Sequence, residues 1–386
     1  MPPPMSITNP PPLALYVHLP WCVHKCPYCD FNSFELRGAL ADADYIDAVL
    51  RDLDFELPLV AGRVVLGIFI GGGTPSLFSG PAITRLLDGI RARLRLQVDC
   101  EITLEANPGT AEAQRFAAYR AAGVNRLSVG AQSFRSRQLE ALGRVHGVSE
   151  IGHAVALARE AGFDNVNLDL MYGLPQDDLT GAIADLEQAI ALGPEHLSWY
   201  QLTLEPNTAF HRRPPPLPDD ELITAIEKAG RELLARHGYT RYEVSAYAQS
   251  GRRCRHNLNY WQFGDYVGLG AGAHGKLTRP DGTIERRARL RNPRSYRASA
   301  GQAECVSVDR VERAEVLRLE FLMNALRLTE GVPHALLAER TGLTLEPMRG
   351  AVTAAIEQGW LASEPETLAA TPAGLNALNR VLALFA

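Results

Sequence analysis

Three of the six cysteines fall within eight residues, in Cys22-Val23-His24-Lys25-Cys26-Pro27-Tyr28-Cys29. Three thiolates at these spacings can ligate three irons of a 4Fe–4S cubane and leave the fourth iron open, whereas a fourth cysteine would close it. An open iron can chelate the amino and carboxylate groups of a bound amino acid. Zinc is the alternative: a structural zinc wants four ligands, and His18 or His24 would supply one. The spacing, Tyr28 directly before the last cysteine, and an apolar run just upstream favour the cluster over zinc and over three unrelated thiols. Cys100, Cys254 and Cys305 are scattered, which is no disulfide scaffold in a chain of 386 residues.

The elements that must position this loop follow one pattern over the first 210 residues. Short β-branched runs alternate with amphipathic helical stretches. Strands are predicted at Leu13–Leu19, Val64–Ile70, Cys100–Glu105, Arg126–Ala131, Asn165–Met171 and His196–Leu204. Helices are predicted near 43–57, 81–94, 111–122, 149–161 and 178–191. Strands joined by crossover helices make a parallel sheet covered on its outer face. A full (β/α)8 barrel needs ~250 residues, so six units imply an α/β fold with a partial (β/α)6 TIM-like barrel.

Such folds carry their chemistry at the C-terminal ends of the strands. There the chain places Gly71-Gly72-Gly73-Thr74-Pro75 after the second strand, Glu105 at the end of the third, Gln132 at the end of the fourth with Arg144 beyond it, and Asp169 in the fifth. The glycines permit close backbone approach to a ligand, or form a plain turn. A carboxylate at a barrel mouth can hold a cation or a ribose. Asp169, flanked by leucines, is costly to bury unpaired. Each of these residues alone reads equally as a cap, a surface charge or a salt bridge. Their placement at successive strand ends is the stronger argument.

Residues 211–218 are a proline-rich loop, a helix is expected near 219–237, and 239–300, rich in Gly, Arg and aromatics, resist assignment. From about 310 the chain is helical again, with Leu361 and Leu368–Ala370 able to pair as a small hairpin, as in a winged helix. The recognition-helix candidate near Glu346–Gln358 carries one basic residue, Arg349. Reading DNA needs phosphate-facing charge, and the net charge is −5, so no nucleic-acid partner is expected. The division is a flexible lead at 1–12, the barrel at 13–210, an extension at 211–305 and a C-terminal winged-helix-like domain at 306–386. No apolar stretch reaches the ~18 residues of a membrane span, and the Pro-rich start has no signal-peptide pattern, so the expected location is cytoplasmic.

Tyr16-Val-His-Leu-Pro-Trp-Cys22, the three cysteines, Gly71–Pro75 and Asp169–Pro175 together resemble the coproporphyrinogen III dehydrogenase-like branch of the radical S-adenosylmethionine superfamily. The likeness covers nearly the whole chain. It implies a 4Fe–4S cluster on Cys22, Cys26 and Cys29. It also implies that Tyr16, Tyr28, Gly72, Gly73, Thr74, Glu105, Gln132, Arg144 and Asp169 contact S-adenosylmethionine, some of them a second molecule in the dehydrogenase. Two departures matter. Phe31 stands where the dehydrogenase has a further cysteine, and the long N-terminal extension of the dehydrogenase is absent from this sequence.

Both departures resemble a sister group of heme chaperones, which carries a His-Asn-x-x-Tyr-Trp motif, here His256-Asn257-Leu258-Asn259-Tyr260-Trp261. On that resemblance His256, Asn257, Tyr260 and Trp261 hold heme. Imidazole is a common axial ligand, the two aromatics offer flat surface to a porphyrin, and Arg252, Arg253 and Arg255 could pair with propionates. A Cys254 thiolate is the other ligand candidate, and a core histidine among solvated arginines is the structural reading. The implied function is binding of heme and its transfer to recipient apo-hemoproteins, some of them at a membrane, with no coproporphyrinogen dehydrogenase activity. The alternatives are an oxygen-independent coproporphyrinogen III oxidase or another radical enzyme acting on a tetrapyrrole. A cluster-dependent dimer stays open.

Overall fold

The computed structural model describes residues 9–109, 113–311, 313–364 and 366–386. Most of the expected flexible lead lies outside these residues. Its last two residues are held: Arg63 donates to the Pro11 carbonyl, and the Asp265 N–H donates to the Pro12 carbonyl at 2.9 Å.

Six parallel strands run in chain order across the sheet. They are β1 (Leu13–Leu19), β2 (Val64–Gly72), β3 (Arg95–Ala106), β4 (Arg126–Gln132), β5 (Val166–Tyr172) and β6 (His196–Gln201). Alternation sets their two faces. Leu13, Leu15, Val17 and Leu19 of β1 enter the main apolar core, while Tyr16 and His18 turn to the inner side. The crossover helices are α1 (Asp42–Val60), α2 (Gly80–Arg93), α3 (Phe116–Ala122), then α4 (Ser136–Ala141) with α5 (Val148–Glu160), and α6 (Leu179–Ala191). Ser79 caps α2 by accepting from the Ala82 N–H, and Ile83, Leu86, Leu87 and Ile90 bury one face of that helix. Gly123, at φ 106°, ends α3 in the left-handed conformation that favours glycine.

The partial barrel is therefore the expected one, but it is not the whole sheet. The segment after α7 (Asp220–Arg236) adds six more strands, giving a sheet of 12. The short β7 (Thr240–Arg241) and β8 (Ala246–Ala248) follow β6 on one side, β8 pairing antiparallel with β6. Beyond β1 lie β9 (Asp265–Leu269), parallel to it, and the antiparallel β10 (His274–Thr278), β11 (Ile284–Arg289) and β12 (Val306–Arg310). Helix α8 (Arg255–Trp261) precedes β9.

The strands beyond β1 were illegible as strands because they bury charge. Arg289 meets Asp52 at 3.0 Å and Glu56 at 2.9 Å, and Arg287 meets Glu56 at 2.8 Å. Lys276 and Arg63 flank Asp265 at 2.9 and 2.8 Å. These charges are tolerable inside only because a distant element supplies the counter-charge. β12, expected to open the C-terminal domain, is the edge strand of the main sheet.

The C-terminal region is helical and has its own core around Leu317, Phe321, Leu337, Leu361, Leu368 and Val381. Val332–Pro333 pairs antiparallel with Thr367–Leu368, and Leu361 bridges Ala370. Among the described residues no helix is long and apolar enough to cross a membrane.

Candidate functional site

The cysteine loop leaves the end of β1 and is closed at its neck. Trp21–Cys22 pairs with Phe34–Glu35, and the Leu36 N–H donates to the Cys22 carbonyl at 2.8 Å. A turn with the Cys29 N–H on the Cys26 carbonyl folds the tip. Cys22, Cys26 and Cys29 are free thiols and line one cavity at the C-terminal mouth of the strands. Among the described residues no three His, Cys, Asp or Glu side chains converge to hold a single metal ion. The zinc alternative also lacks its fourth ligand. The Nε2–H of His18 donates to the Asn32 carbonyl and its Nδ1 accepts from the Tyr16 hydroxyl, both at 2.9 Å, while His24 pairs with Glu35 at 3.0 Å. Three separated thiols around one open space fit a cubane, whose irons are spread in the same way. Burial pushes the Cys22 and Cys29 thiols above their ordinary value, and bound iron would hold them as thiolates.

Eight other expected residues share this cavity: Tyr28, Gly72, Gly73, Thr74, Glu105, Gln132, Arg144 and Asp169. Each is fixed by its neighbours. The Gly72 N–H donates to Glu105 Oε2 at 3.0 Å. Burial, and Asp169 nearby, push the Glu105 carboxyl up to about 8, so it is protonated at neutral pH. Asp169 accepts from Ser128 at 3.0 Å and Asn167 at 2.9 Å, which satisfies the carboxylate flagged by its leucine neighbours. Arg144 donates to Asn107 at 2.7 Å and to the Gly130 carbonyl at 2.8 Å, and reaches Cys26 Sγ at 3.7 Å. Gln132 sits at φ 68°, and its Oε1 accepts from Tyr200 at 2.8 Å.

The glycines answer to packing as well as to the cavity. Gly72 has φ 119°, and a Cβ there would lie 2.7 Å from the His18 ring. A Cβ on Gly73 would lie 2.6 Å from the Trp21 carbonyl oxygen. Asn107, Ser128 and Tyr200 also line the cavity. Asn107 and Tyr200 stand at the ends of β3 and β6, where the strand-end rule would have found them, whereas Ser128 lies inside β4.

A second cavity of about 620 Å³, a volume that suits a cofactor-sized ligand, adjoins the first. It is lined by His256 and Tyr260 of α8, Tyr16 and His18 of β1, Tyr266 of β9, Phe31, Asn32, His274 and Arg291. Phe31, 60% exposed, lines both cavities. His256 packs against the Phe69 and Tyr16 rings, with centroids at 5.1 and 6.2 Å. Burial, aided by the Arg126 charge, lowers its pKa to about 4, so the imidazole is neutral. Among the described residues its buried Nδ1 has no hydrogen-bond partner. Tyr260 packs on Tyr266, with centroids 5.1 Å apart.

The structure places several of the expected residues elsewhere. Tyr16 lines the second cavity, not the first, because strand alternation puts it beside His18 on the inner face below the cysteine loop. Trp261 turns away, packs against the C-terminal core and lies under the Arg327 guanidinium at 4.3 Å. Asn257 is half-buried but does not line the cavity. Arg252, Arg253 and Arg255 are paired with Asp164, Glu330 and Asp99. Cys254 is fully buried off the cavity, its thiol pushed up to about 12 and directed at Glu101, so it is no thiolate. Tyr266, His274 and Arg291 carried no signal in the sequence, since the strands that bring them there went unread.

Residues 16–186 match the radical SAM superfamily and residues 313–376 the HemN C-terminal domain. The chain is 52% identical to the heme chaperone HemW of Escherichia coli, over 97% of this chain and 98% of that one. It is 46% identical to the heme chaperone HemW of Haemophilus influenzae, with the same coverage. Among solved structures it is similar to the coproporphyrinogen III oxidase HemN of Escherichia coli, a radical SAM enzyme, with a TM-score of 0.81 and 22% identity over 98% of this chain and 92% of that one. At that identity the last likeness shows the fold alone.

Proposed function

Because the chain belongs to the HemW heme-chaperone family of the radical S-adenosylmethionine superfamily, we propose that it binds heme in the His256 cavity and passes it to apo-hemoproteins. The superfamily carries a 4Fe–4S cluster and S-adenosylmethionine, and Cys22, Cys26 and Cys29 are the ligands we assign to the cluster. When bound, the cluster supplies an open iron for the amino and carboxylate groups of S-adenosylmethionine and, once reduced, an electron for its sulfonium.

The residues divide the work. Arg144 lies against Cys26 and is tied to the end of β4, so it supports the cysteine loop from the barrel. Gly72, Thr74, Glu105, Gln132 and Asp169 face the same space, and a protonated Glu105 beside Asp169 offers a donor and an acceptor to ligand hydroxyls. In the second cavity the neutral His256 would ligate the heme iron, and Tyr260 would give a flat face to the macrocycle. Recipients at a membrane and a dimer formed on cluster loading belong to this reading.

One observation carries the proposal: a neutral imidazole, half-buried among aromatic rings, opens on a cavity whose wall at Phe31 is shared with the three thiols. The test is anaerobic reconstitution, hemin titration and transfer to an apo-hemoprotein in one sample, with Cys29→Ser as the cluster-free control. His256→Ala is expected to shift the heme absorbance band and lower transfer at least tenfold, since the variant loses the axial bond. Unchanged binding and transfer would remove His256 from the mechanism. Turnover of coproporphyrinogen III to protoporphyrinogen IX with release of 5′-deoxyadenosine would replace the chaperone by the oxidase.

A further inference from the structure

We infer that Arg291 is the anion anchor of the second cavity, taking a carboxylate side chain of the tetrapyrrole, and that Asn32 of the cysteine loop holds this anchor in place. The inference rests on the heme reading of His256 and adds the polar end of the site. An iron porphyrin such as heme carries two propionates, and a site that takes only its flat face leaves them without a partner. The motif arginines cannot serve, because Arg252, Arg253 and Arg255 are paired with surface carboxylates away from the cavity.

Arg291 lies on the cavity wall, is exposed, and among the described residues forms no ion pair. Its Nε approaches Asn32 Oδ1 at 3.4 Å, which leaves the outer edge of the guanidinium open. A planar guanidinium meets a carboxylate with two parallel donors. Asp30 is the carboxylate on the same wall and is not paired with it.

Asn32 fixes the position. Its amide donates twice at 2.9 Å, to the Ala271 carbonyl and to the Arg291 carbonyl. Gly272, at φ 79°, lets the two segments close, since a Cβ there would lie 2.2 Å from the Asn32 amide nitrogen. Asn32 is three residues from Cys29 and one from Phe31. The same short segment therefore carries a thiol of the first cavity, the shared wall and the brace for the anchor of the second. Asn32 acts through Arg291 and is a positioning residue.

The experiment titrates hemin and hemin dimethyl ester, whose propionates are uncharged, against the intact protein, Arg291→Ala, Arg291→Glu and Asn32→Ala. Wild type is expected to bind hemin about tenfold more tightly than the ester, the factor of a charge-assisted pair. Arg291→Ala is expected to lose that preference by weakening hemin alone, with the His256-dependent absorbance band kept. Arg291→Glu is expected to prefer the ester, and Asn32→Ala to lower the preference partway. An unchanged preference in both Arg291 variants, or equal weakening of both ligands, overturns the anchor and leaves the heme site standing. Wild type that shows no His256-dependent hemin band overturns both readings.

Discussion

His146 lies buried against the end of β4, two residues beyond Arg144. Its Nε2–H donates to the Ala131 carbonyl at 3.3 Å, and among the described residues its buried Nδ1 has no partner. A proton on Nδ1 would sit unpaired beside the Arg144 guanidinium. Burial and that charge lower the His146 pKa from 6.5 to about 4. As pH falls through this window the unfolded chain takes up the proton before the native one does, so the His146 contribution to native stability drops between pH 6.5 and about 4 and is level above. His146→Gln is expected to flatten this limb by up to about 3 kcal/mol in urea unfolding at pH 7 and at pH 4.5. Parallel pH profiles for the two proteins would show that His146 does not titrate this way. His256 and Cys254 show the same force at work: burial keeps the imidazole neutral and the thiol protonated, which under the proposed heme reading favours the imidazole as the ligand.

At the scale of elements, the junction between β2 and the cysteine loop is the most demanding contact. The Gly73 N–H donates to the Leu19 carbonyl at 2.8 Å and the Thr74 N–H to the Trp21 carbonyl at 2.7 Å, so the end of β2 braces the neck of the loop. Any side chain at 73 collides with the Trp21 backbone, which cannot rotate away as a side-chain tip could. Gly73→Ala is expected to cost about 2 kcal/mol, as overpacking does, and to lower iron bound per chain after reconstitution. Iron and sulfide content equal to wild type would mean that the neck tolerates the shift. The glycine run was legible as a site in the sequence. Its reason was not, because a clash with residue 21 exists only after β1 and β2 have paired.

At the scale of the whole molecule, the extension is joined to the barrel by buried charge as well as by a shared apolar core. Asp52 and Glu56 stand one turn apart on α1 and are fully buried, facing Arg287 and Arg289 of β11, with Tyr296 donating to Asp52 at 2.8 Å. Removing one partner strands the others in a low-dielectric interior. Arg289→Met is expected to destabilise the fold by about 3–5 kcal/mol, read as a lower urea midpoint, and to weaken hemin binding because β10, β11 and Arg291 lose their support. Wild-type stability in this variant would mean that water or a neighbour satisfies Asp52 and Glu56. The strand that carries Tyr266 is tied in the same way, through Asp265 to Lys276 and Arg63.

What the sequence determined by itself is what short-range patterns encode. Strand alternation, helical periodicity and caps such as Ser79 and Gly123 made the six β/α units readable, because each depends on residues a few positions apart. Thiol spacing and the placement of polar residues at strand ends located the first cavity for the same reason. Only the tertiary structure decided the second cavity. Lys276, Glu285, Arg287 and Arg289 look like loop residues until Asp265, Asp52 and Glu56 come to them from elsewhere in the chain. Which arginine is free for a ligand, and that Trp261 faces another core while Tyr16 joins His256, depended on pairings across more than 60 residues of sequence. A charge can be buried only beside its counter-charge, and no local pattern records where that partner lies.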